Sequence, residues 1–175
     1  MKINTLLGIA GPPGSGKTTF ANALAKHLGI PCAGFGNFIR SLAGEADLQN
    51  VGQHLVETLP AETFVLKFLQ FHGFEGGQSC VVEGVRHVRI WRTLQSFSTR
   101  AVLVMLDPPV SIVTERLLMR ELSGERLKRR RGDHPVESEL YDLKAIADQI
   151  IQVPEPVTMF DAIVKQSGLE PHLIS

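Results

Sequence analysis

Gly11-Pro12-Pro13-Gly14-Ser15-Gly16-Lys17-Thr18 fits the pattern G-x-x-x-x-G-K-[ST] at every fixed position. Ahead of it, Ile3–Ala10 is an apolar, β-compatible run, and behind it Phe20, Ala23, Leu24 and Leu28 recur at helical spacing. Strand, loop and helix therefore stand in the order that cradles phosphate. Gly11, Gly14 and Gly16 let the backbone turn its N–H groups inward, and the new helix adds the partial positive charge of its N-terminus. Lys17 is placed to reach the β- and γ-phosphate oxygens and the Thr18 hydroxyl to complete a Mg²⁺ shell, with Ser15 and Thr19 completing the contact set. The stretch predicts a bound nucleoside triphosphate with Mg²⁺.

Length and composition frame this loop. A chain of 175 residues buries roughly 70% of its unfolded surface around one core, so a single domain over 1–175 is expected. Charged residues make up 21% and apolar ones 43%, with 18 basic and 18 acidic side chains. That balance exerts no general pull toward nucleic acid or membrane, and neither is expected as a partner. No apolar run approaches the ~20 residues that span a bilayer. The apolar start leads into the loop without a small-residue cleavage site, so it reads as a strand and not as a signal sequence. Cys32 and Cys80 lack metal-ligand spacing and read as reduced, packed thiols of a cytoplasmic protein.

Short apolar strands alternate with helical patterns, which predicts an α/β fold with a parallel sheet covered on both faces. Strands are expected at Ile3–Ala10, near Pro31–Phe35, and at Ser79–Glu83, Arg100–Leu106 and Gln149–Val153. Helices are expected at about 17–28, 36–46, 48–71 with a break at Pro60, 87–96, 110–121, 136–147 and 156–166. Ligands of such sheets bind beyond the carboxyl ends of the strands. The loops expected there carry Gly36-Asn37-Phe38-Ile39-Arg40, Glu83-Gly84-Val85-Arg86 and Asp107-Pro108-Pro109.

Charge is uneven along the chain. Between Arg116 and Arg131 seven basic residues face two acidic ones, a local charge of +5 in a neutral protein. Arg116 and Arg120, four apart on a helix, share one face, and Leu122-Ser123-Gly124-Glu125 suits a hinge. A basic flap of this kind closes over transferring phosphate, excluding water and adding positive charge. A solvated basic run, or one that binds RNA, is the competing reading.

Together these residues resemble the nucleoside monophosphate kinase-like group of P-loop kinases, which includes adenylate, UMP/CMP and dephospho-coenzyme A kinases. Gly36-Asn37-Phe38-Ile39-Arg40 is similar to the group's acceptor motif Gly-Asp-x-x-Arg, and Val82-Glu83-Gly84-Val85-Arg86 to its Asp-Gly-x-x-Arg stretch. Arg116-Leu117-Leu118-Met119-Arg120 resembles the Arg-Leu-x-x-Arg that opens the lid, and Arg131-Gly132-Asp133 its Arg-x-Asp. The short Glu-Gly-Val-Arg form is nearer the dephospho-coenzyme A kinase relatives. Asn37 and Glu83 stand where the group has aspartate, and no arginine follows Asp133.

The resemblance implies a three-layer P-loop NTPase fold of five parallel strands, with an acceptor-side helical region at 36–75 and a lid at 116–135. It implies transfer of the γ-phosphoryl of ATP to a small-molecule phosphate acceptor, a nucleoside monophosphate or related nucleotide-like molecule. Lys17, Arg86, Arg116, Arg120 and Arg131 would act on the transferring group, Gly36, Asn37, Arg40 and Arg86 on the acceptor, and Thr18 and Glu83 on Mg²⁺. The protein would act as a monomer or homodimer.

Two alternatives stand beside this reading. One is an NTP hydrolase or nucleotide-regulated binding protein whose basic segment engages RNA or a protein. The other is a kinase of shikimate or gluconate type. Among the remaining residues, Trp91 and Phe97 read as core. Phe64, Phe68 and Phe71 read as packing or as the lining of an acceptor pocket. The six histidines, His87 included, read as surface or partly buried imidazoles without metal spacing.

Overall fold

β1 (Ile3–Ala10) is buried along nearly its whole length, as a strand flanked by helices on both faces must be. The computed structural model describes residues 2–43, 48–122, 135–152 and 158–169. From β1 the chain runs through α1 (Lys17–Leu28), β2 (Cys32–Gly34), α2 (Phe35–Ala43), α3 (Leu48–Thr58), α4 (Ala61–Phe71), β3 (Cys80–Val85) and α5 (Val88–Ser96). It continues through β4 (Ser98–Leu106), α6 (Val110–Leu122), α7 (Pro135–Ala145), β5 (Gln149–Ile151) and α8 (Thr158–Ser167). The five strands are all parallel, in the order β2-β3-β1-β4-β5.

Alternation along the strands divides the core in two. Leu6, Val82 and Leu103 face α2, α4, α5 and α7, while Leu7, Val81, Val102 and Val104 face α1 and α8. Trp91 is fully buried against the backbone of β1: a Cβ placed on Gly8 would lie 2.4 Å from its ring. Phe64 and Phe68 are buried with Phe35 and Phe38 in a cluster of aromatic contacts, whereas Phe71 is half exposed.

Several expected boundaries shift. The long helical pattern does break at Pro60, into α3 and α4. α2 opens at Phe35, one residue ahead of Gly36-Asn37, and α7 ends at Ala145. β4 begins at Ser98, because its first residue pairs with Ile3. β3 runs on to Val85, so Gly84 and Val85 belong to the strand and not to the loop after it. The extension is possible because Gly84, at φ +84°, absorbs a register shift: Ile9 pairs with Glu83 but Ala10 with Val85. Of the lid expected at 116–135, residues 123–134 and the Arg120 side chain lie outside the described residues.

Candidate functional site

At the carboxyl ends of β1, β2 and β3 opens a cavity of about 570 Å³. The phosphate loop forms one end of it. Gly14 and Gly16 take φ of +80° and +88°, values that only glycine adopts without strain. Gly16 is also the N-cap of α1 and supplies no side-chain cap, so the first amides of the helix suit an anion. Gly11 and Ser15 shape the loop from behind. A Cβ on Gly11 would lie 2.5 Å from the Leu106 carbonyl, and Ser15 is fully buried.

Lys17 is only 9% exposed. Its Nζ donates to the Pro12 carbonyl at 2.7 Å and to Ser15 Oγ at 3.4 Å, which folds the side chain back along the loop. The Thr18 hydroxyl lies 3.4 Å from Glu83 Oε2. Two hard oxygen donors thus meet at the loop, the kind of set Mg²⁺ uses alongside phosphate oxygens and water. Among the described residues no cluster of three or more His, Cys, Asp or Glu could cage a metal alone. From α6, Arg116 donates to the Ser15 carbonyl at 3.2 Å, and Leu117 packs on Gly14.

The other end of the cavity belongs to α2, α3, α4 and the start of α5. Arg40 donates to Asn37 Oδ1 at 3.0 Å, one turn apart on α2, and Gly36 beside them leaves open space. Burial draws the Arg86 guanidinium below its ordinary pKa, and nearby Glu83 opposes this by favouring the charged form. Apolar walls come from Phe35, Ile39, Val56, Phe64 and Ile90. Arg89 of α5 donates to the carbonyls of Val56 and Leu59, satisfying the C-terminal end of α3 and tying it to α5.

Of the residues singled out from the sequence, Gly14, Gly16, Lys17, Thr18, Thr19, Gly36, Asn37, Arg40, Glu83 and Arg86 share this cavity. The Arg120 side chain and Arg131 are outside the described residues. Sequence reading missed His87, which is 8% exposed and lines the cavity. Its Nδ1 is 2.9 Å from Glu139 Oε1, and the other oxygen of that carboxylate accepts from Val88 N at the start of α5. Gln53 and Leu117 were missed too.

Neither thiol lines the cavity. Burial is the main cause that pushes Cys32 up to about 11 and Cys80 up to about 12, so both stay protonated and inert at neutral pH.

The family described as AAA domain (AAA_18) matches residues 7–137. The chain belongs to this family. Among relatives of this AAA-domain chain is the UPF0200 protein of Aeropyrum pernix, 26% identical over 170 residues, covering 93% of this chain and 84% of that one. The cytidylate kinase of Methanothermobacter thermautotrophicus is 26% identical over 117 residues, covering 66% and 68%. The solved shikimate kinase of Aquifex aeolicus superposes with a TM-score of 0.57 at 18% identity, over 92% of this chain and 95% of that one. The fold is thus a kinase-like P-loop fold with kinase relatives, and the family uses ATP and Mg²⁺ in general. Among the described residues no helix is long and apolar enough to cross a membrane.

Proposed function

We propose that this protein is an ATP- and Mg²⁺-dependent kinase that transfers the γ-phosphoryl group to a nucleoside monophosphate or a related nucleotide-like molecule. One observation carries the reading: a single cavity joins the phosphate loop to Arg40, Asn37 and Arg86. A hydrolase or switch needs the first end only. The second end pairs anion-binding guanidinium groups with a slot walled by apolar side chains, a combination suited to a phosphate carried on a flat ring.

In this reading catalysis is positioning and charge stabilisation. Lys17 and the amides of residues 14–19 hold the β- and γ-phosphates. Thr18 directly, and Glu83 through water, would hold Mg²⁺, which neutralises charge on the phosphate oxygens. Arg40 and Arg86 orient the acceptor phosphate for in-line attack. Arg116 braces the loop, and Arg120 and Arg131 join it as lid cations that close the site to water. The whole chain is then one kinase domain, with 36–75 as its acceptor side and 116–135 as its lid.

The test is a screen of the purified protein with Mg-ATP against nucleoside monophosphates, dephospho-coenzyme A, shikimate and gluconate, with Lys17→Ala as inactive control. Phosphorylated nucleotide product is expected. ATP hydrolysis that no acceptor alters would favour the hydrolase reading. Turnover of shikimate or gluconate alone would move the acceptor to the alcohols.

A further inference from the structure

His87 stands at the N-cap of α5, yet its own side chain makes no cap contact there. The capping comes from α7, where one oxygen of Glu139 accepts from Val88 N at 3.1 Å and the other meets His87 Nδ1 at 2.9 Å. A carboxylate can only accept, so Nδ1 carries the hydrogen and the ring is held in one tautomer. In the neutral ring the remaining nitrogen, Nε2, then presents a lone pair. It has no hydrogen-bond partner among the described residues, and it is not sealed from solvent as the unpartnered His27 Nε2 and Gln53 Oε1 are. His87 keeps 10% of its side chain exposed and lines the cavity.

A brace for α5 needs only Glu139 and Val88 N. An imidazole with one nitrogen anchored and the other open to a cavity is arranged to meet a ligand, and its neighbours say which part of one. Arg40 and Arg86 can only donate. Asn37 Oδ1 is already used by Arg40, and Gln53 Oε1 is sealed. Away from the phosphate loop, His87 Nε2 is thus the accessible acceptor that the described side chains offer. In the chain it follows Arg86, which suits an anion, and precedes by one turn Ile90, which belongs to the apolar wall. Between the phosphate and the flat ring of a nucleotide lies the sugar, whose hydroxyl groups need acceptors.

We propose that His87 binds the acceptor through its sugar, with Nε2 accepting a hydrogen bond from a ribose hydroxyl. Glu139 is the positioning residue that fixes the tautomer and the orientation of the ring. The site then selects nucleotides whose sugar hydroxyls are free over their deoxy analogues. The inference rests on the nucleotide-acceptor reading above and adds a sugar contact to it.

The experiment takes whichever of AMP, CMP, GMP and UMP is turned over best and compares its kcat/KM with those of its 2′-deoxy and 3′-deoxy analogues. In the wild type, loss of the bonded hydroxyl should lower kcat/KM by about tenfold, as expected for one hydrogen bond in a partly open site. His87→Asn keeps an amide N–H for Glu139 where Nδ1 stood and removes Nε2. It should bring the ratio to within about threefold, through loss on the ribonucleotide side, with KM for ATP unchanged. Glu139→Ala frees the ring and should lower the ratio in the same direction. Each ratio comes from one preparation, so a partly unfolded variant does not alter it. A ratio that either variant leaves unchanged overturns the part assigned to that residue. A wild type that treats all three sugars alike overturns the sugar contact and leaves the kinase reading standing. Absence of turnover with any nucleoside monophosphate overturns the nucleotide-acceptor reading, and this inference with it.

Discussion

Glu83, near the end of β3, faces the Thr18 hydroxyl at 3.4 Å, and it also faces Gly34 across the β2–β3 pairing. A Cβ on Gly34 would lie 2.8 Å from Glu83 Oε1. Because that oxygen is the end of a flexible side chain, Gly34→Ala should shift the carboxylate while costing no more than about 1 kcal/mol of stability. The shift moves it from Thr18, so kcat should fall about tenfold or more while the melting temperature changes little. Unchanged kcat would remove Glu83 from the phosphate end.

His72 gives a pH signature. Its Nε2 is 3.2 Å from the Gly34 carbonyl, and its pKa is lowered from 6.5, by burial first, with the carbonyl contact opposing. The unfolded chain therefore takes up this proton before the folded one. The contribution to stability is whole above pH 6.5, declines as pH falls through it, and levels off below the folded-state value. Thermal melts from about pH 8 to about pH 5 should show that decline, and His72→Gln should flatten it. At this scale Lys17 and Thr18 were legible, since a local backbone pattern defines them. Gln53 and His87 were not: the burial of one and the Glu139 partner of the other, 52 residues away, exist only once helices pack.

Elements were legible where a local signal marks them, as at Pro60, which divides α3 from α4. The extension of β3 was not, because Gly84 reads as a turn until its pairing with β1 turns it into a bulge. α7 shows how elements from distant sequence support the proposed acceptor end. Through Glu139 it both caps the start of α5 at Val88 N and holds the His87 ring. Glu139→Ala removes both contacts. It should cost about 1–2 kcal/mol in denaturant unfolding, as the loss of a helix cap does. Acceptor KM should rise with ATP KM unchanged, since Glu139 touches nothing on the phosphate loop. Equal change in both constants would make Glu139 a purely structural brace.

In the whole molecule, the order β2-β3-β1-β4-β5 puts α1 on one face of the sheet and α2, α4 and α5 on the other. The phosphate loop and the acceptor helices then meet over the ends of β1 and β3, as ligand sites do in open parallel sheets. A cavity of about 570 Å³ spans both ends without an intervening wall. In the proposed kinase, donor and acceptor then fit together, and a single molecule that joins them should bind without a second loss of translational freedom. ATP with Mg²⁺ at about 100 times its Kd should add about 2.7 kcal/mol. For a domain of this size that raises the melting temperature by roughly 5–10 °C. Two nucleosides linked through five phosphates should raise it further at the same concentration, and should compete with ATP and with the acceptor alike. A linked compound that stabilises no more than ATP, or that competes with ATP alone, would divide the cavity into two separate sites and leave the acceptor end without its substrate.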